Sequence, residues 1–268
     1  MANDALGDRC KRYELAEAGR RAMRGLPLLA RLDGRAFHTF TRGMQRPFEP
    51  GMSRAMIETT RFLVQEMLPL VGYTQSDEIT LAWYEPSSSA AEYAFDGRYQ
   101  KLASVLAGLA SAKFCQLLAG HLPHKLGATP CFDCRVWQVP TLADAADVFV
   151  WREDDATKNS ITMAASAHYS DSELDGKHSG DKQELLWQKG VNWNDFPAFF
   201  KRGTYVQRRT ALRELTDAER ARIPDAHRPP LGTTFERTQV VELELPPIRK
   251  LANLTAVLFE RAEPIAKA

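Results

Sequence analysis

Three carboxylates in this chain could do chemistry, because each adjoins an apolar, strand-like run. Asp33 follows the run Leu26–Leu32 and precedes Gly34, whereas Asp77 and Glu78 lie between two short apolar runs further along the chain. Carboxylates brought together at strand ends form a hard-oxygen site that suits Mg²⁺ and the phosphates of a nucleotide. The first hypothesis is therefore phosphoryl or nucleotidyl transfer.

A metal site would explain how such acids are tolerated together. Clustered carboxylates repel one another, and bound divalent cations remove this penalty. One ion would activate the attacking hydroxyl, while a second would hold the triphosphate. Gly34 suits this site because a residue without a side chain allows a close approach of backbone and triphosphate. Taken singly, Asp33–Gly34 also matches a simple turn, and Ser76–Glu78 a hairpin loop.

The surrounding sequence predicts the elements that would position these acids. Leu26–Leu32 is typical of a buried strand, and the pair Val71–Thr74 and Ile79–Trp83 predicts a hairpin with Asp77 and Glu78 at its tip. Apolar residues at helical spacing predict helices over 53–68 and Arg98–Ala119, and Cys131–Val139 alternates like a strand.

The predicted order of strand, helix, strand, strand, helix and strand is that of the ferredoxin-like split βαβ fold, on which polymerase palms and nucleotide cyclases are also built. We therefore predict an α+β protein with a polymerase-palm-like, ferredoxin-type βαββαβ core, helices on one sheet face and a C-terminal helical/β extension. The sequence texture changes after Pro140, so the predicted catalytic core is 1–140 and the extension is 141–268, packed on that core.

The other predicted elements flank this core. A helix of mixed charge is expected over 5–24, and the extension is expected to hold helices at 141–168 and 181–189. Strands are expected at Gly203–Arg209 and Phe235–Leu245, while Leu251–Arg261 fits either a helix or a strand.

Composition excludes several classes of protein. Hydrophobic residues at 44% and charged residues at 26% match an ordinary soluble globular protein. No apolar run approaches the roughly 20 residues that cross a bilayer, and the N-terminus lacks the pattern of a signal peptide. Four cysteines at irregular spacing argue against a disulfide framework and favour a reducing, cytoplasmic location.

The net charge of +1 does not by itself indicate nucleic-acid binding. However, the segment Lys201–Arg213 concentrates five cations in thirteen residues and includes Tyr205. A basic run of this kind is either a solvated face or a contact surface for RNA phosphates.

Two longer segments sharpen the functional hypothesis. Arg31–Phe40, with the sequence RLDGRAFHTF, and Gln75–Glu78 together resemble the signature of the tRNA-His guanylyltransferase family. Further matches lie at Phe132–Arg135, Trp151–Arg152 and Lys201–Gly203, and the resemblance runs in the expected order over residues 10–210. It implies a palm-like enzyme that adds nucleotides to the 5′ end of RNA in the 3′→5′ direction, typically as a homotetramer.

The resemblance also implies roles for individual residues. Asp33 and Asp77 would bind two Mg²⁺ ions together with the carbonyl of Gly34, and Glu78 would support the metals as a third catalytic acid. The residues expected to bind ATP, GTP or another nucleoside triphosphate are Arg35, Ala36, Phe37, His38, Arg46, Ser76, Arg98, Lys101 and Ser104. The residues expected to contact tRNA are Lys158, Asn159, Lys201, Arg202, Arg208 and Arg209.

Without the resemblance, several of these residues have ordinary interpretations. Phe37 and Phe40 would be core or loop-anchoring aromatics, and His38 a structural histidine. Arg98, Lys101 and Ser104 would lie on the solvent-facing start of a helix.

One segment departs from the eukaryotic pattern of the family. Eukaryotic members carry His-Ile-Asn-Asn after a Trp-Arg-Gln stretch, whereas here Thr157 and Lys158 replace the first two residues and Asn159 is retained. This resembles the bacterial and archaeal guanylyltransferase-like branch, which is associated with template-directed repair of tRNA 5′ ends. We therefore expect template-dependent 3′→5′ addition to a tRNA 5′ end that is first activated with ATP or GTP.

Other functions fit the sequence less well. A dedicated tRNA-His guanylyltransferase that adds a single G is the nearest alternative, and a nucleotide cyclase would leave the basic segment 201–213 without a purpose. A non-catalytic RNA-binding module would have no need for three clustered acids. A zinc site of Cys131 and Cys134 with His121 and His124 is disfavoured, because cysteines three apart on a strand point to opposite faces.

Overall fold

One six-stranded antiparallel sheet organises the molecule, whose structure, a computed structural model, describes residues 5–16, 18–89 and 91–267. The strands are β1 (Leu28–Gly34), β2 (Val71–Gln75), β3 (Glu78–Trp83), β4 (Phe132–Gln138), β5 (Thr204–Glu214) and β6 (Thr234–Leu243). Their order across the sheet is β4-β1-β3-β2-β5-β6, and every neighbouring pair is antiparallel. The protein is therefore α+β, as the sequence predicts.

The helices lie before, between and after these strands along the chain. They are α1 (Ala5–Ala16), α2 (Phe37–Phe40), α3 (Pro50–Met67), α4 (Tyr99–His121), α5 (Leu142–Ser166), α6 (Asp171–Leu174), α7 (Ser179–Gln188), α8 (Ala198–Arg202), α9 (Asp217–Ala221) and α10 (Leu254–Phe259). The longest, α5, begins at a capping box in which Thr141 and Asp144 satisfy each other's backbone N–H groups.

One sheet face packs against α3 and α4. Successive side chains of a strand point to opposite faces, so Ala30 and Leu32 of β1 share this face with Ile79 and Leu81 of β3. The helices contribute buried residues at helical spacing, among them Met56, Leu63, Leu106, Ala110 and Phe114. This layer carries the core beneath the predicted acids.

The opposite face packs against α5 and α10. Leu29, Tyr73 and Tyr205 point to this side and contact Phe149 of α5, together with residues of α10. Helices therefore cover both faces of the sheet. The expected arrangement had helices on one face only, which holds for α3 and α4 but leaves out α5 and α10. The reason is that the strands are apolar on both sides, as in β2, where every residue is buried.

The extension after residue 140 completes the same sheet. β5 pairs with β2 through three residue pairs, including Gly72 with Val206 and Thr74 with Thr204. β5 then pairs only with β6 over its remaining length, so the two strands form a long ribbon that leaves the sheet. Loss of the extension would expose the edge of β2.

Two expectations about the helices need correction. The helix expected over 5–24 ends at Ala16, and the described residues from 18 to 24 are not helical. Gly19 has a left-handed φ of 71°, which does not continue a helix. The sequence analysis expected no apolar segment long enough to cross a bilayer. In the structure, α4 is long and apolar enough to do so, by length and composition. Its buried residues pack against the sheet as those of a core helix do.

Phe114 of α4 offers a test of this core. We expect Phe114→Ala to lower the free energy of unfolding by about 3–5 kcal/mol, because the buried ring would leave a cavity. Guanidinium denaturation would measure the change. The control, Trp187→Ala, removes a side chain that is 64% exposed and should change stability by about 0.5 kcal/mol or less. Equal losses in the two variants would contradict the packing described here.

Candidate functional site

The β2–β3 hairpin presents the first part of the site. Gln75 pairs with Glu78, which leaves Ser76 and Asp77 as a two-residue turn. Ser76 has a φ of 48°, the positive value that tight hairpin turns need. Its hydroxyl donates a hydrogen bond of 3.1 Å to the Asp77 carboxylate, so the turn holds this acid at the tip.

The end of β1 meets this tip. Asp33 lies directly opposite Glu78 in the antiparallel pairing of β1 and β3. The Gly34 N–H donates to the Asp77 carbonyl oxygen at 3.1 Å, which joins the two acid-bearing segments through the backbone. Burial raises the pKa of Asp77, and the nearby charge of Asp33 adds to the rise. Asp33 and Asp77 thus converge at one sheet edge.

Gly34 is required by its neighbour Phe37. A Cβ atom at residue 34 would lie 2.4 Å from the Phe37 ring, so no side chain fits there. That ring is buried against Phe40, Phe114 and Phe132, with centroid separations of 5.0, 5.6 and 5.1 Å. The Phe37 ring is therefore a core residue that supports the acid-bearing loop, and its expected contact with a nucleotide stays a prediction.

The Glu78 carboxylate extends toward α5, on the same face of the sheet as its cross-strand partner Asp33. Its carboxylate accepts hydrogen bonds from Arg152 and, at 3.2 Å, from the Gln75 amide, and Arg31 lies 3.6 Å away. Burial raises the pKa of Glu78, while Arg152 and Arg31 act in the opposite direction. No group of three His, Cys, Asp or Glu side chains within the described residues is arranged to hold a metal ion.

The donors that remain still suit magnesium. The carboxylates of Asp33 and Asp77 and the backbone carbonyl of Gly34 are oxygen ligands, and Mg²⁺ usually keeps several water molecules as its other ligands. The raised pKa of Asp77 means that the negative charge of its carboxylate is unfavourable when no cation is bound. A cation between the two acids would remove that cost.

A cleft of about 710 Å³ opens beside Asp77. The hairpin tip, the loop after α2, the start of α3, the second half of α5 and α8 form its walls. Five of the residues expected to bind a nucleotide or RNA line this cleft, namely Phe37, His38, Arg46, Ser76 and Asn159. Arg42, which the sequence analysis did not single out, adds a second cation to the same loop.

Arg35 and Ala36 lie between the acids and this cleft. Both are exposed, and Ala36 has left-handed backbone angles immediately before α2. The Arg35 N–H donates to the Cys131 carbonyl at 2.9 Å, which fixes this loop to the residue preceding β4. Only the side chain of Arg35 is therefore free to reach a ligand.

The three residues expected to clamp a triphosphate from the long helix lie elsewhere. At that end of α4, Leu102 packs with Leu28, the first residue of β1, whereas Phe114 packs beside the acid-bearing loop. A rise of 1.5 Å per residue separates Leu102 from Phe114 by roughly 18 Å along the helix. Within one chain, the side chains of Arg98, Lys101 and Ser104 therefore lie away from the acids.

The residues expected to contact RNA do not form one patch. Lys158 is exposed on α5 beside Asn159. The Lys201 ammonium donates to the Asn194 carbonyl and lies over the Trp193 ring, so it is already engaged. Arg202 lines a separate groove of about 830 Å³ between α3, α8 and β6.

Arg208 and Arg209 also point away from each other. They are consecutive on β5, so their side chains emerge on opposite faces of the ribbon. Arg209 donates to the Arg261 carbonyl and pairs with Glu263 at 3.5 Å. The basic segment is therefore divided between two surfaces.

The cysteines do not form the alternative zinc site. Cys134 is partly buried on the side of β4 that packs against α4, and burial raises the pKa of its thiol to about 12. His121 lies 3.3 Å from Glu58 and is thereby engaged on another element. A zinc-bound cysteine is a thiolate, so this buried thiol does not suit a metal.

Sequence reasoning overlooked two groups near the acids. Asp133 lies opposite Asp33 on β4, a register that no local motif reveals. Arg152, Asp155 and Asn159 form a hydrogen-bonded line on α5. Their spacing of three and four residues, which places side chains on one helix face, was the available signal.

A further buried acid lies on α5, one residue after Arg152. The Glu153 carboxylate accepts hydrogen bonds from the Ile248 N–H at 2.9 Å and from the Tyr205 hydroxyl at 3.1 Å. Burial raises the pKa of Glu153, and these two hydrogen bonds act in the opposite direction. This acid ties α5 to the extension.

The raised pKa of Glu153 predicts a pH-dependent stability. A raised folded-state pKa contributes stability that is fully present below the unfolded-state pKa and is lost as pH rises through the folded-state value. Because Gln does not titrate, we expect Glu153→Gln to gain stability relative to the wild type as pH rises from 4 to 8. Urea denaturation across this range would measure the difference, and a difference that falls with pH would contradict the assignment.

Comparisons with known proteins agree with this geometry. Residues 7–140 match the family described as tRNAHis guanylyltransferase, Thg1. A probable tRNA(His) guanylyltransferase of Drosophila melanogaster is 26% identical over 256 residues, which cover 88% of this chain and 87% of the fly protein.

Two similar solved structures are bacterial tRNA(His) guanylyltransferase (Thg1)-like proteins, one in complex with ATP and one with GTP. The ATP complex is 36% identical with a TM-score of 0.70, and the match covers 76% of this chain and 87% of that one. The GTP complex is 30% identical with a TM-score of 0.72, and the match covers 92% of this chain and 95% of that one.

Proposed function

Because the chain belongs to the tRNAHis guanylyltransferase family, we propose that it is a nucleotidyltransferase that adds nucleotides to the 5′ end of tRNA in the 3′→5′ direction. The observation that carries this proposal is the convergence of Asp33 and Asp77 at one sheet edge beside a cleft. The complexes of similar proteins with ATP and GTP support nucleoside triphosphates as substrates.

The proposed reaction has two stages. The 5′ monophosphate of the tRNA first attacks the α-phosphate of ATP or GTP, which releases pyrophosphate, and the 3′-hydroxyl of an incoming nucleotide then attacks the activated 5′ phosphate, which releases AMP or GMP. Two Mg²⁺ ions, when bound, would lower the cost of forming the attacking alkoxide and stabilise the charge of the triphosphate. The oxygens of Asp33, Asp77 and Gly34 would hold these ions, and Glu78 would support the site through the hairpin.

The cleft walls would orient the nucleotide. Arg46 and Arg42 supply positive charge for the phosphates, and Ser76 offers a hydroxyl at the hairpin tip. His38 and Asn159 face the same space and are available to hydrogen bond with the base or ribose. In this proposal, pairing with the opposite tRNA strand selects the base.

We also propose that the core is palm-like. The antiparallel order β4-β1-β3-β2, with α3 and α4 as the two connections, supports a ferredoxin-type βαββαβ unit. The family match ends at residue 140, which supports a catalytic core of 1–140 and an RNA-contacting extension of 141–268.

Two further features of the proposal concern assembly and location. A homotetramer would allow Arg98, Lys101 and Ser104, remote from the acids of their own chain, to serve the site of another. The four cysteines are free in the structure, which supports a cytoplasmic location with reduced thiols.

Asp77→Asn tests the acid site with a change that keeps shape and removes charge. We expect transfer to fall by at least about a hundredfold, because one ligand of the metal is lost, while tRNA affinity changes less than about twofold. Single-turnover transfer of labelled GTP and a filter-binding assay would measure the two quantities. The exposed Asp147→Asn is the control, and wild-type turnover by Asp77→Asn would refute the metal assignment.

A comparison of two tRNA substrates tests the breadth of the reaction. We expect nucleotide addition both to tRNA-His without its extra G and to another tRNA without its first nucleotide, because the eukaryotic His-Ile motif is replaced by Thr157 and Lys158. Labelled nucleotides and sequencing of the products would identify what is added. Addition to tRNA-His alone would indicate the dedicated enzyme, and addition to neither would favour an RNA-binding module.

A further inference from the structure

A buried arginine joins the acid-bearing hairpin to the wall of the cleft. Arg152 of α5 is only 5% exposed. Its guanidinium donates through one nitrogen to Glu78 on the hairpin and, at 2.9 Å, to Asp155 on its own helix. A buried charge is costly unless it is paired, so Arg152 depends on both acids and holds them in place.

Two arginines form ion pairs with Glu78, whose buried Oε1 atom has no hydrogen-bond partner within the described residues. Arg152 donates to one carboxylate oxygen, to which Gln75 also donates at 3.2 Å, and Arg31 lies 3.6 Å from the other oxygen. The guanidinium groups of Arg31 and Arg152 also lie over the Trp151 ring, at 5.7 and 4.5 Å from its centroid. Two arginines and two acids thus form a locally neutral network, from which Glu78 cannot turn without leaving a charge unpaired.

The same arginine reaches the cleft through Asp155. The oxygen of Asp155 that accepts from Arg152 also accepts from the Asn159 amide at 3.2 Å. Asn159 lies on the lining of the cleft together with Ser76 and Asp77. A continuous chain of hydrogen bonds therefore runs from the hairpin through α5 to the nucleotide side of the site.

We propose that Arg152 is a positioning residue that holds the β2–β3 hairpin so that Asp77 stays beside Asp33, with Glu78 as its anchor on the hairpin. This inference rests on the proposed nucleotidyl transfer. It gives Glu78 a role that differs from that of Asp77 although the two are adjacent. Asp77 meets the metal and substrate, whereas Glu78 acts through Arg152 to fix the turn that carries Asp77.

The geometry explains why an arginine stands at this position. Both hydrogen bonds, to Glu78 and to Asp155, come from one nitrogen of the guanidinium, and the group lies over the Trp151 ring at 4.5 Å from the centroid, a packing contact that a lysine ammonium does not reproduce. Arg152→Lys would keep the charge and lose the packing on Trp151. It should therefore recover only part of the activity that Arg152→Gln loses.

The test compares Arg152→Gln with Arg249→Gln. Arg249 pairs with Asp154 of the same helix at 2.9 Å, but its side chain is 65% exposed and lies outside the site, so it is a matched control. We expect Arg152→Gln to lower kcat for transfer at least tenfold and to weaken Mn²⁺ binding, followed by electron paramagnetic resonance, at least threefold. The affinity for tRNA should change less than twofold, and Arg249→Gln should match the wild type in all three measurements.

A double variant separates positioning from direct metal contact. If Glu78 acts only through Arg152, the double variant that carries both Glu78→Gln and Arg152→Gln should be as active as the less active of the two single variants. Losses that multiply, or an Arg152→Gln protein with wild-type kcat and Mn²⁺ affinity, would overturn the inference. Thermal melting identifies any variant that fails to fold, in which case Arg152→Lys, with its expected intermediate kcat, decides the outcome.

The failure of this inference is distinguishable from failure of the proposed function. A wild-type protein that transfers no nucleotide to any tRNA contradicts the function itself. An active wild type whose Arg152 variants are equally active contradicts only the positioning role.

Discussion

The close approach of two carboxylates, Asp33 and Asp77, is the constraint on which the rest of the site depends. Like charges at the same sheet edge repel, and burial makes the charge of Asp77 still less favourable, as its raised pKa indicates. The fold holds the acids together through backbone pairing, including the bond from the Gly34 N–H to the Asp77 carbonyl. A bound cation would convert this unfavourable arrangement into a favourable one.

The remaining structure maintains this arrangement from both sides of the sheet. Below it, the aromatic cluster around Phe37 and Phe114 fills the space that a side chain at Gly34 would need. On the opposite face, α5 presents Arg152 to Glu78 and holds the hairpin next to its turn. The third acid is therefore better understood as part of the support for the hairpin than as a third ligand. Asp77 belongs to the two-residue turn, whereas Glu78 is the first residue of β3 and pairs with Arg152, so the two adjacent acids have different surroundings.

The sequence was sufficient to predict the acid-bearing elements. The apolar runs on either side of Asp77 and Glu78 predict the hairpin, and the family resemblance connects it to Asp33. The sequence did not show which remote segments contact each other. Glu78 and Arg152 are 74 residues apart, and nothing local indicates that α5 crosses this sheet face. For the same reason, the helical spacing of Arg98, Lys101 and Ser104 predicts that they share one face of α4. It does not show which end of α4 lies near the acids. Consecutive arginines on β5 suggested one patch, but the strand places them on opposite faces.

The position of a bound metal tests this account most directly. Crystals soaked with Mn²⁺ and a non-hydrolysable nucleotide would reveal the ion by anomalous diffraction. The account predicts a peak at roughly 2.1–2.2 Å from carboxylate oxygens of both Asp33 and Asp77, with Glu78 still paired to Arg152. A peak held by Glu78 after its release from Arg152, or no peak between Asp33 and Asp77, would contradict it.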